Sequence, residues 1–166
     1  MQMNIQVSAL ARTDKLNTDK KDSMLLDGIK YYRHSDLHNF LQNCNVIVSV
    51  LPETAATKGF CNDAFFQNMQ ANSIFINVGR GSVIDRPSSL IDALESGHLK
   101  SAVLDVYDTE PLPNEHAYYD TENLYITCHT AAISRPTEVF DVFYNNAIRL
   151  TTGKKLLYMH DFDLGY

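Results

Sequence analysis

The chain has 166 residues, which suits one domain or one and a half, and its 45% hydrophobic and 20% charged composition is that of a globular protein rather than a disordered one. A formal net charge of −6 argues against non-specific binding of nucleic acid or of an anionic membrane. The longest apolar stretch, Val46 to Leu51, is too short to cross a bilayer, the amino-terminal segment lacks the order of a secretory signal, and three cysteines without metal-ligand spacing point to free thiols in a reducing cytoplasm.

From Asn4 to Ala11 apolar residues (Ile5, Val7, Ala9, Ala11) fall at every second position, the period of a strand. Thr13 to Lys30 is polar and lysine-rich and reads as a solvated loop. Ser35 is placed to cap a helix with Leu37, Phe40, Leu41 and Cys44 on one face. Val46 to Leu51 is apolar at nearly every residue, the pattern of a strand buried on both faces in a parallel sheet, and Pro52 ends it. Asn62 to Met69 predicts a short helix with Phe65, Phe66 and Met69 inward, and Ser73 to Val78 a second buried strand. A helix starting at Asp85 or Ser88 carries Leu90, Ile91 and Leu94, with Gly97 as its stop. Ser101 to Val106 and Leu124 to Thr127 read as further buried strands. Ser134 is placed to cap a last, long helix with Val139, Phe140, Phe143, Ala147 and Leu150 inward and Gly153 at its end. Strands alternating with amphipathic helices specify a doubly wound α/β parallel sheet. In such sheets ligands bind beyond the carboxyl ends of the strands.

Those ends carry the unusual residues. Pro52 follows Leu51, Gly79-Arg80-Gly81 follows Val78, Asp105 closes its strand with Glu110-Pro111 close behind, and Cys128-His129 follows Thr127. An arginine, two acids and a histidine thus leave one rim of one sheet. Each alone has an ordinary reading: Arg80 as a turn residue between glycines, Glu110 as a surface acid, His129 as a structural histidine. Asp105 is harder to dismiss, because an acid after Ala102-Val103-Leu104 needs a partner when buried. His34, His38, His98, His116 and His160 have no metal-ligand spacing with one another, so no metal is expected.

The motifs SVLPETAATKG, INVGRGSVID, LIDALESGHLKSAVLDVYDTEPLP and NLYITCHTAAISRP, in this order between Val46 and Leu150, resemble the nucleotide-binding domain of the D-isomer-specific 2-hydroxyacid dehydrogenases. The AAISRPTE run and the terminal DFDLGY are most similar to its glyoxylate/hydroxypyruvate reductase A branch. The resemblance implies a Rossmann-like domain and hydride transfer between a nicotinamide cofactor and C2 of a small 2-oxo acid such as glyoxylate or hydroxypyruvate. It implies that Arg80 grips the substrate's carboxylate and carbonyl, that His129 protonates the carbonyl oxygen, and that Glu110 orients the imidazole. It further implies that Leu51, Pro52, Val78 and Gly79 line the cofactor and that Asp105 accepts a hydrogen bond from the nicotinamide carboxamide. The strand from Ile5 to Ala11 would match the family's second, whose end meets the adenosine ribose. An acid there suits NAD and an arginine NADP. Arg12, with Lys15 nearby, leans the expectation to NADP, with NAD possible; otherwise Arg12 is a surface residue. Cys128 stands where the family usually has a proline, which would loosen the turn that presents His129 or set a thiol beside the site.

The G-x-G-x-x-G fingerprint is absent, since the only G-x-G is Gly79-Arg80-Gly81 and Ile84 stands at the third place. By the resemblance, the family's first strand, its glycine-rich loop and most of its substrate domain would lie before Met1. The expectation is a Rossmann-like domain lacking its first strand and glycine-rich loop: a partial dinucleotide-binding domain over 1–150 and a tail over 151–166. The first and second strands read here would then face a gap, whose unpaired backbone groups cost about 1–3 kcal/mol each when buried and invite another chain when exposed. Three functions stay open: the downstream part of a reductase, a non-catalytic nucleotide-binding or dimerising module, and a different doubly wound enzyme. The expected partners are a small 2-oxo or 2-hydroxy acid and a homodimer mate or complementing upstream chain, in the cytoplasm, without nucleic acid or membrane.

Overall fold

A computed structural model describes residues 5–11 and 28–162. β1 (Ser8–Ala11) and β2 (Lys30–Arg33) pair in parallel as a two-stranded sheet. β3 (Val46–Ser49), β4 (Ser73–Asn77), β5 (Leu99–Leu104) and β6 (Leu124–Ile126) form a four-stranded parallel sheet in that order. Helices α1 (Leu37–Gln42), α2 (Asp63–Asn68) and α3 (Pro87–Glu95) precede β3, β4 and β5, and α4 (Pro136–Thr151) follows β6. This is the parallel α/β, Rossmann-like fold that the alternation of strands and helices specifies.

Register builds the core. Ile47, Phe75 and Ala102 align across β3, β4 and β5, and Leu41, Phe65, Phe66, Leu90 and Leu94 from the three short helices join them in one buried cluster. Phe66 and Phe75 are fully buried and meet edge to face with centroids 5.1 Å apart, a geometry worth about 0.5–1.5 kcal/mol beyond burial. Asn62 starts α2 by accepting the Phe65 amide at 3.0 Å. Gly97 and Gly153 end α3 and α4 with φ of +71° and +66°, the left-handed stop expected of them.

Several expectations are corrected. β3 is buried on one face only: Ile47 and Ser49 face the core, whereas Val46, Val48 and Val50 are 47%, 52% and 71% exposed. Its neighbours on that outer row are half-buried Ile76 and Val103 and exposed Tyr125, so the outer face lacks a full cover among the described residues. The apolar side of α4 is open as well. Val139, Phe140, Phe143 and Leu150 are each more than half exposed, and no residue of the helix is buried. Periodicity shows that a helix has an apolar face, not that its own chain covers it. Ser35 caps nothing, lying inside a 3₁₀ turn (His34–Asp36), and Asp36 takes the N-cap position of α1. Arg135 and Arg86, not Ser134, Asp85 or Ser88, precede α4 and α3, each followed by a proline in the first turn, where a missing N–H costs nothing. The strand β2 starts at Lys30, the last residue of the segment read as loop, and runs on through residues to which the sequence pattern assigns no element. Arg12 and Lys15 lie outside the described residues. The tail after α4 folds back on it: Asn146 and Leu157 exchange two hydrogen bonds, of 2.8 and 3.0 Å.

Candidate active site

The carboxyl end of β4 is turned by Asn77. Its buried side chain donates to the Arg80 carbonyl at 2.9 Å and accepts from the Gly79 amide at 3.2 Å. A Cβ on Gly79 would stand 2.6 Å from the Leu51 carbonyl oxygen, so only glycine lets the end of β4 lie against the chain leaving β3. A Cβ on Gly81 would stand 1.8 Å from the Tyr107 carbonyl carbon, so the turn is equally tight on its other side. Between the two glycines the Arg80 side chain is exposed, with Nη1 donating to the Gly79 carbonyl at 2.8 Å.

β5 delivers Asp105, which is only 3% exposed. One carboxylate oxygen accepts from the Thr127 hydroxyl and from the Thr130 amide at 2.9 Å; the other accepts from the Ala131 amide at 2.8 Å. Burial works against ionisation, but these three donors and nearby His129 outweigh it and hold the pKa below the ordinary carboxylate range. Asp105 thus pins the loop that carries His129. That histidine adopts φ +55°, uncommon for a residue with a side chain, and its amide donates to the Asp105 carbonyl at 2.8 Å.

His129 Nδ1 lies 2.8 Å from Glu110 Oε2, and Glu110 Oε1 accepts from the Tyr107 amide at 2.9 Å. The His129 bond first, then the Tyr107 amide, hold the Glu110 carboxyl below its usual range against some burial, helped by the charges of His129 and Arg80. Glu110 thus contacts His129 directly and lies near enough to Arg80 to feel its charge. Both members of the pair are more than a third exposed (51% and 36%), so it adds at most about 1 kcal/mol to stability. Its effect is on the imidazole, whose Nδ1 is engaged and whose Nε2 is left for another partner.

Beside this rim, between the ends of β1 and β3, opens a largely apolar cavity of about 710 Å³ whose walls include Leu10, Ala11, His34, Leu51, Pro52 and Phe60. That volume is within the range of small-molecule sites, about 300–1,000 Å³, and its walls fit a nucleoside. Leu51 and Pro52 line it directly, and Gly79 lies against Leu51. Tyr107 and Asn77, which organise the site, were not singled out by sequence reasoning; their position beside Asp105 and the Gly-Arg-Gly turn was the available signal. The three cysteines are free, with Cys61 buried and Cys128 exposed. Among the described residues no helix is long and apolar enough to cross a membrane.

The lowered pKa of Asp105 has a sign that can be tested. A carboxylate ionised more readily in the folded state adds stability that is complete above the ordinary carboxylate pKa, about 4, and is lost as the pH falls through the lowered folded value. Asp105→Asn should cost about 1–3 kcal/mol at neutral pH, and the gap should close in acid. Urea midpoints of both proteins across that range check it; a constant gap would contradict it.

The family model described as the D-isomer specific 2-hydroxyacid dehydrogenase NAD binding domain matches residues 2–131. The glyoxylate/hydroxypyruvate reductase A of Salmonella paratyphi B is 33% identical over 136 residues, covering 82% of this chain and 43% of that protein. Its counterpart from Photorhabdus laumondii is 30% identical over 138 residues, or 83% and 44%. A D-isomer specific 2-hydroxyacid dehydrogenase from Xanthobacter autotrophicus Py2, solved with NADPH and MES, superposes with a TM-score of 0.86 at 31% identity over 97% of this chain and 63% of its own. An NADPH-dependent glyoxylate/hydroxypyruvate reductase from Sinorhizobium meliloti, solved with NADP and sulfate, gives 0.86 at 30% over 98% and 50%. The chain spans less than half the length of the curated relatives it matches.

Proposed function

Because the chain belongs to the D-isomer specific 2-hydroxyacid dehydrogenase family, we propose that it is the downstream part of a reductase that converts a small 2-oxo acid, such as glyoxylate or hydroxypyruvate, to the 2-hydroxy acid. The observation that carries this is the His129–Glu110 contact of 2.8 Å on the rim from which Arg80 also emerges. A reduced nicotinamide, when bound, would supply the hydride that C2 receives. Arg80 offers a planar fork of donors to the substrate's carboxylate and carbonyl. Glu110 holds Nδ1–H, which turns Nε2 toward the substrate. The imidazolium gives its Nε2 proton to the carbonyl oxygen, becomes neutral, and takes a proton back from water before the next turnover.

Leu51, Pro52, Val78 and Gly79 would hold the cofactor. Asp105 would accept from its carboxamide with the capacity left over: a carboxylate offers about four lone-pair sites, and three donors of this chain already occupy Asp105. NADP is favoured over NAD by Arg12, the next residue in the sequence after Ala11, and by the NADP and NADPH complexes of similar proteins. Residues 1–150 would form the dinucleotide-binding part and 151–166 a tail. The open faces of β3 and α4 suit completion by an upstream polypeptide, supplied by a longer parent or by another chain, or by a second copy, in the cytoplasm. Those same open faces favour a second reading, a non-catalytic nucleotide-binding or dimerising module.

One assay separates the two. The chain is mixed with NADPH and glyoxylate or hydroxypyruvate, alone and with the amino-terminal half of a matched reductase, and NADPH absorbance is followed. Oxidation is expected in the completed sample only. Arg80→Ala should lower it roughly 100-fold, the worth of two charge-assisted hydrogen bonds. No oxidation in any completed sample rejects the reductase reading in favour of the module.

A further inference from the structure

Tyr107 has no task in this chemistry, yet three parts of the rim converge on it. Its main-chain N–H donates to Glu110 Oε1 at 2.9 Å. Its hydroxyl donates to the Thr127 carbonyl at 2.7 Å and lies 3.0 Å from the Leu104 carbonyl. Its own carbonyl carbon stands against Gly81, next to Arg80.

The Thr127 contact is the distinctive one. Leu104 O already accepts the Thr127 amide at 2.9 Å, so it has a partner without the phenol. With the tyrosine in place, all three polar groups of Thr127 are fixed: the amide on Leu104, the hydroxyl on Asp105, the carbonyl on Tyr107. Two residues on is His129. Burial, with Cys128 and Asp105 nearby, pushes the phenol up to about 12, so the hydroxyl stays protonated, and a donor, at neutral pH.

We propose that Tyr107 is a positioning residue, a clamp that keeps the Glu110 carboxylate and the His129 imidazole at bonding distance by holding Glu110 through its amide and the segment before His129 through its hydroxyl. Its catalytic consequence rests on the reductase reading; the clamp does not. Thr127 is exposed, so when the hydroxyl is removed water satisfies the freed carbonyl. Global stability then changes little, and what is lost is the fixed length of the tie.

The experiment compares the full chain with its Tyr107→Phe and Tyr118→Phe variants by NMR. It follows the Glu110 carboxyl carbon through an acid titration, and hydrogen exchange of the His129 amide, bonded to Asp105, and of the Cys61 amide, bonded to Val83 at 2.8 Å in the core. Tyr107→Phe should raise the Glu110 midpoint toward the ordinary carboxylate range. It should also speed exchange at His129 about tenfold, the equivalent of one hydrogen bond, without changing Cys61. Tyr118→Phe, at a buried tyrosine outside the clamp, should change neither. An unaltered Glu110 titration in Tyr107→Phe overturns the proposal. So does an equal loss of protection at His129 and Cys61, or failure of that variant to fold, since either marks a general structural role. In the completed reductase, Tyr107→Phe should lower kcat about tenfold at unchanged KM for NADPH. A completed sample inactive in both forms rejects the reductase reading alone.

Discussion

A His129→Gln chain, completed by its upstream part, is expected to turn over about 10²–10⁴-fold more slowly than the parent while binding NADPH equally well. Glutamine nearly matches imidazole in reach and can still donate to Glu110, so the loop pinned by Asp105 has no reason to move. What it lacks is an acidic proton for the carbonyl oxygen as hydride arrives. The loss should therefore appear in kcat rather than in cofactor affinity. Steady-state rates beside fluorescence titration with NADPH give both quantities. A variant that keeps the parent's rate would remove His129 from the chemistry.

Gly81→Ala should be the most damaging small substitution for the fold of the rim. The added Cβ meets the Tyr107 main chain at 1.8 Å, and a backbone neighbour has no rotamer to retreat into. The Arg80 turn or the segment after β5 that carries Tyr107 must shift, at the upper end of the roughly 1–3 kcal/mol typical of overpacking, or beyond it. Gly97→Ala is the control. Nothing lies within 4 Å of its Cβ, and its cost is the left-handed backbone alone, roughly 1 kcal/mol. Urea midpoints rank the two, and equal stabilities would show that the Gly81 contact yields more easily than its geometry allows.

Sequence patterns expose some of this molecule better than others. Val46 to Ser49 and Ser73 to Asn77 are legible as strands because apolar runs bounded by turns have few other uses, and Phe65, Phe66 and Met69 are legible as core by helical spacing. β2 is hidden because Lys30 and Arg33 flank its two tyrosines, of which only Tyr32 is buried. The Arg80–Glu110–His129 grouping is visible as three residues that follow three strand ends, since parallel strands deliver their carboxyl ends to one rim. The Tyr107 clamp is not, because its partners are a carbonyl 20 residues away and a neighbouring carboxylate, and main-chain acceptors leave no mark in a sequence. The outward faces of β3 and α4 escape for a related reason: apolar periodicity records the wish for a cover and is silent about whose cover it is.

That one-sided layering separates two quantities that usually travel together. The interleaved rings of Phe66 and Phe75 can be native while valines on the opposite flank and phenylalanines along the final helix remain adhesive. Whatever supplies the cover, the order of the packed side does not wait for it, whereas the stickiness of the two open faces persists until it arrives.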